Sequence, residues 1–144
     1  MPELARIESV VFLQSVDFFT FCSAEEILRL ASIARERRIA ADEQLYKAHE
    51  PADRLFCVVK GKVHVTDAAG NQHTAAPLQT LALLDILSGR LHTGSAIAAV
   101  DTLVLEIEAD DFFDLLSNNI EIVKSIFRHL IHRLEQQSME GIAT

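Results

Sequence analysis

Leu78-Gln79-Thr80-Leu81-Ala82-Leu83-Leu84-Asp85-Ile86-Leu87-Ser88-Gly89-Arg90-Leu91-His92-Thr93-Gly94-Ser95 interrupts a run of strand-like segments. Its first half is apolar and predicts one short helix near residues 80–87. Its second half is a polar loop that carries Arg90 and His92.

On either side the period is that of strands. Upstream, residues 44–47 read as a short strand and residues 49–53 as a turn, because Pro51 cannot continue a ladder. Residues 55–59 form a continuous apolar run, which suits a buried strand. Lys60-Gly61 turns the chain, and residues 62–66 alternate polar and apolar, with Val63 and Val65 inward and His64 outward. Residues 67–71 turn again, with Gly70 suited to a positive φ, and residues 72–76 make a weaker strand. Downstream, residues 96–100 and 103–107 are strands joined by Asp101-Thr102. Many short strands joined by tight turns predict a sandwich or jelly-roll barrel.

Helical patterns bracket this block. Leu4, Ile7, Val11 and Ser15 lie on one stripe, widened by Val10 and Leu13. Asp17-Phe18-Phe19-Thr20-Phe21 breaks the stripe with an aromatic turn that reads as a packing plug. Ser23-Ala24-Glu25-Glu26 is a capping box opening a short amphipathic helix with Ile27, Leu28, Leu30, Ala31 and Ala34. Arg35-Glu36-Arg37-Arg38 reads as a solvated strand start. Asp110 and Asp111 complement the dipole of a later helix, which Asn118-Asn119 ends. Val123, Phe127, Leu130 and Leu134 then repeat at 4-3-4 spacing, flanked by Ile122, Ile126 and Ile131. The fold class predicted is α+β, mainly β: a double-stranded β-helix or jelly-roll barrel with N- and C-terminal helices. The whole of 1–144 is read as one domain, with N-terminal helices over 1–34, a β-roll over 35–108 and C-terminal helices over 109–137.

Composition narrows the function classes. The chain of 144 residues has a formal net charge of -8 and no Lys/Arg-rich block. Non-specific nucleic-acid binding needs basic surface, so no direct grip on DNA or RNA is expected. A helix-turn-helix after Leu134 is not expected. The two cysteines, Cys22 and Cys57, lack metal-site spacing, and Cys57 reads as a reduced, buried thiol. No apolar run approaches the roughly 20 residues of a membrane span, and a cytoplasmic location is expected.

The stretch from Leu78 to Ser95 resembles the phosphate-binding cassette of the cyclic nucleotide-binding domain family, where Gly-Glu-x-Ala-Leu-Leu opens a short helix and Arg-x-Ala closes the loop. Ala82-Leu83-Leu84-Asp85 fits that pattern. Ala52-Asp53-Arg54-Leu55-Phe56-Cys57-Val58-Val59-Lys60-Gly61-Lys62-Val63 resembles the family's hairpin, with Gly61 at the turn. Residues 101–107, followed by Asp111-Phe112-Phe113, resemble the strand and helix that close the barrel. The similarity covers roughly Ile7 to Leu134. It departs at four places: His49 stands where the family has a turn Gly, Ala75-Ala76-Pro77-Leu78 where it has a Gly-rich lead, Gln79-Thr80 where it has Gly-Glu, and His92 where it has Arg. Arg90 lies two residues before that Arg position.

In the family, a cyclic phosphate sits at the start of the short helix, Arg pairs with it, and Glu accepts from the ribose 2'-hydroxyl. The resemblance therefore implies a ligand set of Gln79, Thr80, Leu81, Ala82, Leu83, Arg90, His92 and Thr93, with backbone N–H groups from Leu81, Ala82 and Leu83. Without the Arg fork and the Glu acceptor, ~4–8 kcal/mol of binding is lost at about 1.5–3 kcal/mol per charged hydrogen bond. At about 1.4 kcal/mol per decade, that carries a micromolar site to millimolar or weaker. An inward Arg90 would recover part of it. Thr80, Thr93 and Ser95 also offer hydroxyls to a different small anion.

The expected function is thus a non-catalytic regulatory or sensory domain of this type, its ligand binding weakened or lost, acting by docking or dimerisation. Its partners would be a cyclic nucleotide, a partner protein or fused domain, or a second copy. The alternative is a working cyclic AMP or cyclic GMP receptor using Arg90. A cupin-like metal enzyme built on His49, His64, His73 and His92 is disfavoured by the absence of any His-x-His pair. No nucleophile elbow, Walker loop or dinucleotide glycine pattern supports an enzyme, and no cofactor is expected. Val123, Phe127, Leu130 and Leu134 either cover the barrel or form a dimer or docking seam. Residues 7–13 resemble the lead-in of such domains fused behind larger helical or membrane proteins.

Overall fold

The computed structural model describes residues 5–143, and the side chains of residues 5–138. Two helices, α1 (Arg6–Gln14) and α2 (Ala24–Ile33), flank a 3₁₀ turn at Asp17–Phe19. Eight strands follow: β1 (Ala34–Ile39), β2 (Gln44–Tyr46), β3 (Arg54–Lys60), β4 (Val63–Thr66), β5 (Gln72–Ala75), β6 (Thr80–Leu81), β7 (Ser95–Ala98) and β8 (Thr102–Glu108). The short helix α3 (Leu83–Ser88) sits between β6 and β7, and α4 (Ala109–Asn118) and α5 (Ile120–Ala143) close the chain. The strands form two antiparallel four-stranded sheets, ordered β1-β8-β3-β6 and β2-β7-β4-β5. This is the β-roll with flanking helices expected from the strand spacing.

The two sheets differ in what covers them, and the sequence shows it. In β3, Phe56 and Val58 point into the roll against Ile39, Val63, Ala98 and Val104. Leu55 and Cys57 point the other way, against Leu13, Phe19, Ile107 and Phe112 of the helix-facing core. A strand buried on both faces reads as a continuous apolar run, which is why residues 55–59 do not alternate. In β4, by contrast, Val63 and Val65 are buried and His64 is exposed, bonding to Thr74 across the ladder at 3.2 Å. That sheet has one wet face.

The helices confirm their start signals but not all of their faces. Ser23 accepts from the Glu26 N–H at 3.2 Å while the Glu26 carboxylate accepts from the Ser23 N–H at 2.6 Å, completing the capping box. In α1 only the widened edge of the expected stripe faces inward: Ile7 and Val11 are 73% and 59% exposed, whereas Val10 is half-buried and Leu13 fully buried. The correction has a simple cause, since α1 packs on α2 through the Val10–Leu13 side and leaves the neighbouring ridge outside. Leu4 lies outside the described residues. On α5 the flanking positions of the expected stripe are the ones that face the barrel. Ile122 and Ile126 are the buried positions, while Phe127 and Leu134 are 59% and 62% exposed.

Arg37 and Arg54 both reach Glu106, at 3.2 and 3.3 Å, and tie β1 and β3 to the central β8. Burial pushes the Cys57 thiol well above its usual range and Cys22 up to about 11, with Glu26 adding to the latter. Both cysteines are free thiols.

Candidate functional site

The cassette is positioned by backbone pairing that sequence reasoning missed. Leu78 N–H donates to Val58 O at 2.9 Å and Val58 N–H to Gln79 O at 3.1 Å, so the chain is laid against β3, where Thr80 and Leu81 pair with Cys57 and Phe56 as β6. Thr80 and Leu81 are therefore strand residues, and the helix begins three residues later than the expected 80–87. Ala82 makes the switch with φ 71°, in the left-handed region. An L-residue there costs roughly 1–2 kcal/mol, so the surrounding ladder must hold it. As a result the unpaired first-turn N–H groups are those of Leu83, Leu84 and Asp85.

A cavity of about 410 Å³ opens beside this corner. Gln79, Thr80, Leu81, Ala82, Leu83, Arg90 and Thr93 all line it. His92 does not. Its ring is 3% exposed and lies flat on Tyr46, with ring centroids 4.0 Å apart and planes 18° from parallel. The His92 backbone is pinned as well, its N–H donating to Glu50 O at 2.9 Å and its carbonyl accepting from His49 N–H at 2.8 Å. His92 thus pegs the loop to the roll, and the positive φ of His49, 72°, belongs to the same turn.

The hub of the site is Asp85. Its buried carboxylate accepts from Arg90 Nε at 2.8 Å and from His92 Nδ1 at 3.2 Å, with Thr93 Oγ1 at 3.5 Å. A carboxylate only accepts, so the His92 proton sits on Nδ1. Burial, and secondarily the Asp85 charge, pushes the Tyr46 hydroxyl up to about 12, so it stays a neutral phenol. Arg90 has one edge on Asp85 and reaches the cavity half-exposed. Along the chain Asp85 is only the last residue of the Ala-Leu-Leu-Asp run. Nothing local marked it as the partner of Arg90 and His92.

The opposite wall comes from the 3₁₀ turn and α5, through Asp17, Phe18 and Arg133. Arg133 stacks over the Phe18 ring at 5.4 Å from its centroid, and the His129 ring lies 4.7 Å from Phe18. Arg128 and His132 meet Phe21 in the same way, at 5.8 and 6.3 Å. The signal for this face was present: Ile122, Ile126, His129 and Arg133 repeat at 4-3-4 spacing, one position before the apolar ridge. It was hidden because the stripe turns polar where it meets the aromatic turn. Arg35, Arg37 and Arg38 do not line the cavity.

His129 Nε2 is buried without a hydrogen-bond partner. Its burial lowers the imidazole pKa, with Arg133 and His132 reinforcing and Asp17 opposing. The neutral ring is therefore the form that docks α5 on Phe18. Its contribution is complete above the unfolded pKa of about 6.5 and is lost as pH falls from there through the lower folded value. Thermal unfolding between about pH 8 and pH 5 should show a steeper acid loss for the natural protein than for His129→Phe. Equal slopes would show that this ring is not the titrating group.

The profile of the cyclic nucleotide-binding domain matches residues 36–119, more than half of the chain. The chain belongs to the cyclic nucleotide-binding domain family. It is 25% identical over 138 residues to an uncharacterized NTE family protein of Mycobacterium tuberculosis, covering 94% of this chain and 23% of that protein. It is 28% identical over 114 residues to a cyclic nucleotide-gated potassium channel of Mesorhizobium japonicum, covering 79% of this chain and 31% of the channel. The chain thus spans about a quarter to a third of the length of these curated relatives. Among solved structures, the sensor domain of the transcriptional regulator DNR from Pseudomonas aeruginosa superposes with a TM-score of 0.74 at 17% identity, over 94% of each chain. The family assigns a regulatory and sensory type of domain, one that is usually non-catalytic. Among the described residues no cluster of three or more metal-ligating side chains occurs, and no helix is long and apolar enough to cross a membrane.

Proposed function

We propose that this domain is a sensor whose cassette cavity binds cyclic AMP and cyclic GMP only weakly and whose output is carried by α5. One observation carries the reading: the cation nearest the cassette, Arg90, spends its Nε on the buried carboxylate of Asp85, while His92 is sealed under Tyr46. The cation at the loop end is thus already shared with a carboxylate. Thr80, in place of an acceptor carboxylate, offers the ribose a neutral hydroxyl only.

The α5 helix supports the output role because it touches the cavity on one face and leaves an apolar ridge on the other. Arg133 lines the cavity, and Phe127 and Leu134 lie exposed beside the half-buried Val123 and Leu130. In the longer relatives such a ridge would meet the fused remainder of the protein, and light scattering decides whether a second copy takes its place.

A second reading, a working cyclic nucleotide receptor, is favoured by Arg90 lying on the cavity wall. Isothermal titration with both nucleotides separates the two. Dissociation constants above about 100 µM are expected, and tighter binding would sink the weak-sensor reading. Arg90→Ala should weaken whatever binding remains by about tenfold or more, the loss of one charged hydrogen bond.

A further inference from the structure

We infer that Asp85 is the specificity determinant of this cavity and that it acts against the cyclic phosphate. This rests on the weak-sensor reading and names its cause. Two independent observations carry it. Asp85 is buried and bonded to the guanidinium that would otherwise meet an anion, at 2.8 Å. The charges lining the cavity also cancel, Asp17 and Asp85 standing against Arg90 and Arg133. An anion entering beside Arg90 meets the Asp85 carboxylate behind the same guanidinium, in a setting where solvent screens the pair only from the Arg90 side. A neutral ligand meets no such opposition. Gln79, Thr80 and Thr93 offer it hydrogen bonds, and the volume of about 410 Å³ suits a nucleoside-sized molecule.

Asp85 has a rival role, since a carboxylate on Nε also orients an arginine. The two roles predict opposite signs. Asp85→Asn keeps the side-chain shape and an amide oxygen for His92 while removing the charge. If the charge opposes the phosphate, the variant binds cyclic AMP at least about tenfold more tightly. If the carboxylate serves to aim Arg90, the variant binds it more weakly.

The probes are cyclic AMP and adenosine, which share a base and differ in the phosphate, each titrated into the natural protein, Asp85→Asn and Arg90→Gln by calorimetry or NMR shift perturbation. The ratio of the adenosine to the cyclic AMP dissociation constant should be within about threefold of one in the natural protein and rise to about tenfold or more in Asp85→Asn. Arg90→Gln leaves Asp85 uncompensated and should lower the ratio below one by weakening cyclic AMP more than adenosine, a result available even where Asp85→Asn fails to fold. A natural-protein ratio above about ten, or weaker cyclic AMP binding by Asp85→Asn, overturns the inference. If the natural protein binds neither probe, the sensor reading fails. The inference then stands or falls on whether Asp85→Asn gains cyclic AMP binding.

Discussion

Gly94→Ala is expected to destroy the cassette loop and with it most of the stability of the roll. A Cβ at this position would lie 2.1 Å from the Thr66 carbonyl oxygen, 3.0 Å from its carbon and 3.1 Å from Asp67 Cα. These are backbone atoms at the end of β4, where Thr66 pairs with Ser95 of β7. No rotamer change relieves the clash, and moving either strand opens the ladder. Losses above about 4 kcal/mol arise from a short set of causes, and forcing apart two paired strands is one of them. The same shift would pull Thr93 from Asp85 and Ser95 Oγ from the Ala48 N–H that it accepts at 2.9 Å. Urea unfolding followed by circular dichroism measures the effect. A loss below about 1 kcal/mol would show that the approach at Gly94 is looser than described.

Phe112→Ala should be nearly as severe, while Phe113→Ala should be mild. Phe112 is fully buried in the helix-facing core with Leu55, Ile107 and Ile122, so its removal leaves a cavity between α4, α5 and the β3–β8 sheet. Truncating a buried Phe typically costs about 3–5 kcal/mol, lost transfer energy plus the cavity left behind. Phe113, one residue later, is 44% exposed and should stay within about 1 kcal/mol of the natural protein. Thermal unfolding of the two variants side by side tests this, because a similar loss in both would mean that α4 is rotated on the sheet.

Much of this architecture is legible from local chemistry. The unalternated residues 55–59 announce a strand with two covered faces, and Ser23 with Glu26 announces a helix start, because each signal lies within a few residues of its own effect. The faces of two of the helices show the limit. On α1 and α5 an apolar ridge and the buried ridge lie one residue apart, about 100° around the helix axis, and the choice is made by the surface opposite. The strand pairing of Thr80-Leu81 was also invisible, since two residues carry no period and the pairing exists only because β3 lies alongside.

The candidate site divides in the same way. By itself the sequence determined the order of elements, the roll, and the place of the short cassette helix after Gln79 to Ala82. Only the tertiary structure decided the electrostatics. Tyr46 and His92 come from segments far apart in the chain, and so do Arg133 and the cassette that shares its cavity. Arg90 reads as a free cation along the chain, and becomes half of an ion pair once the loop folds Asp85 under it. Charge acts through space over a few ångströms. A residue's place in the sequence therefore identifies the group, and the fold decides which opposing group stands beside it.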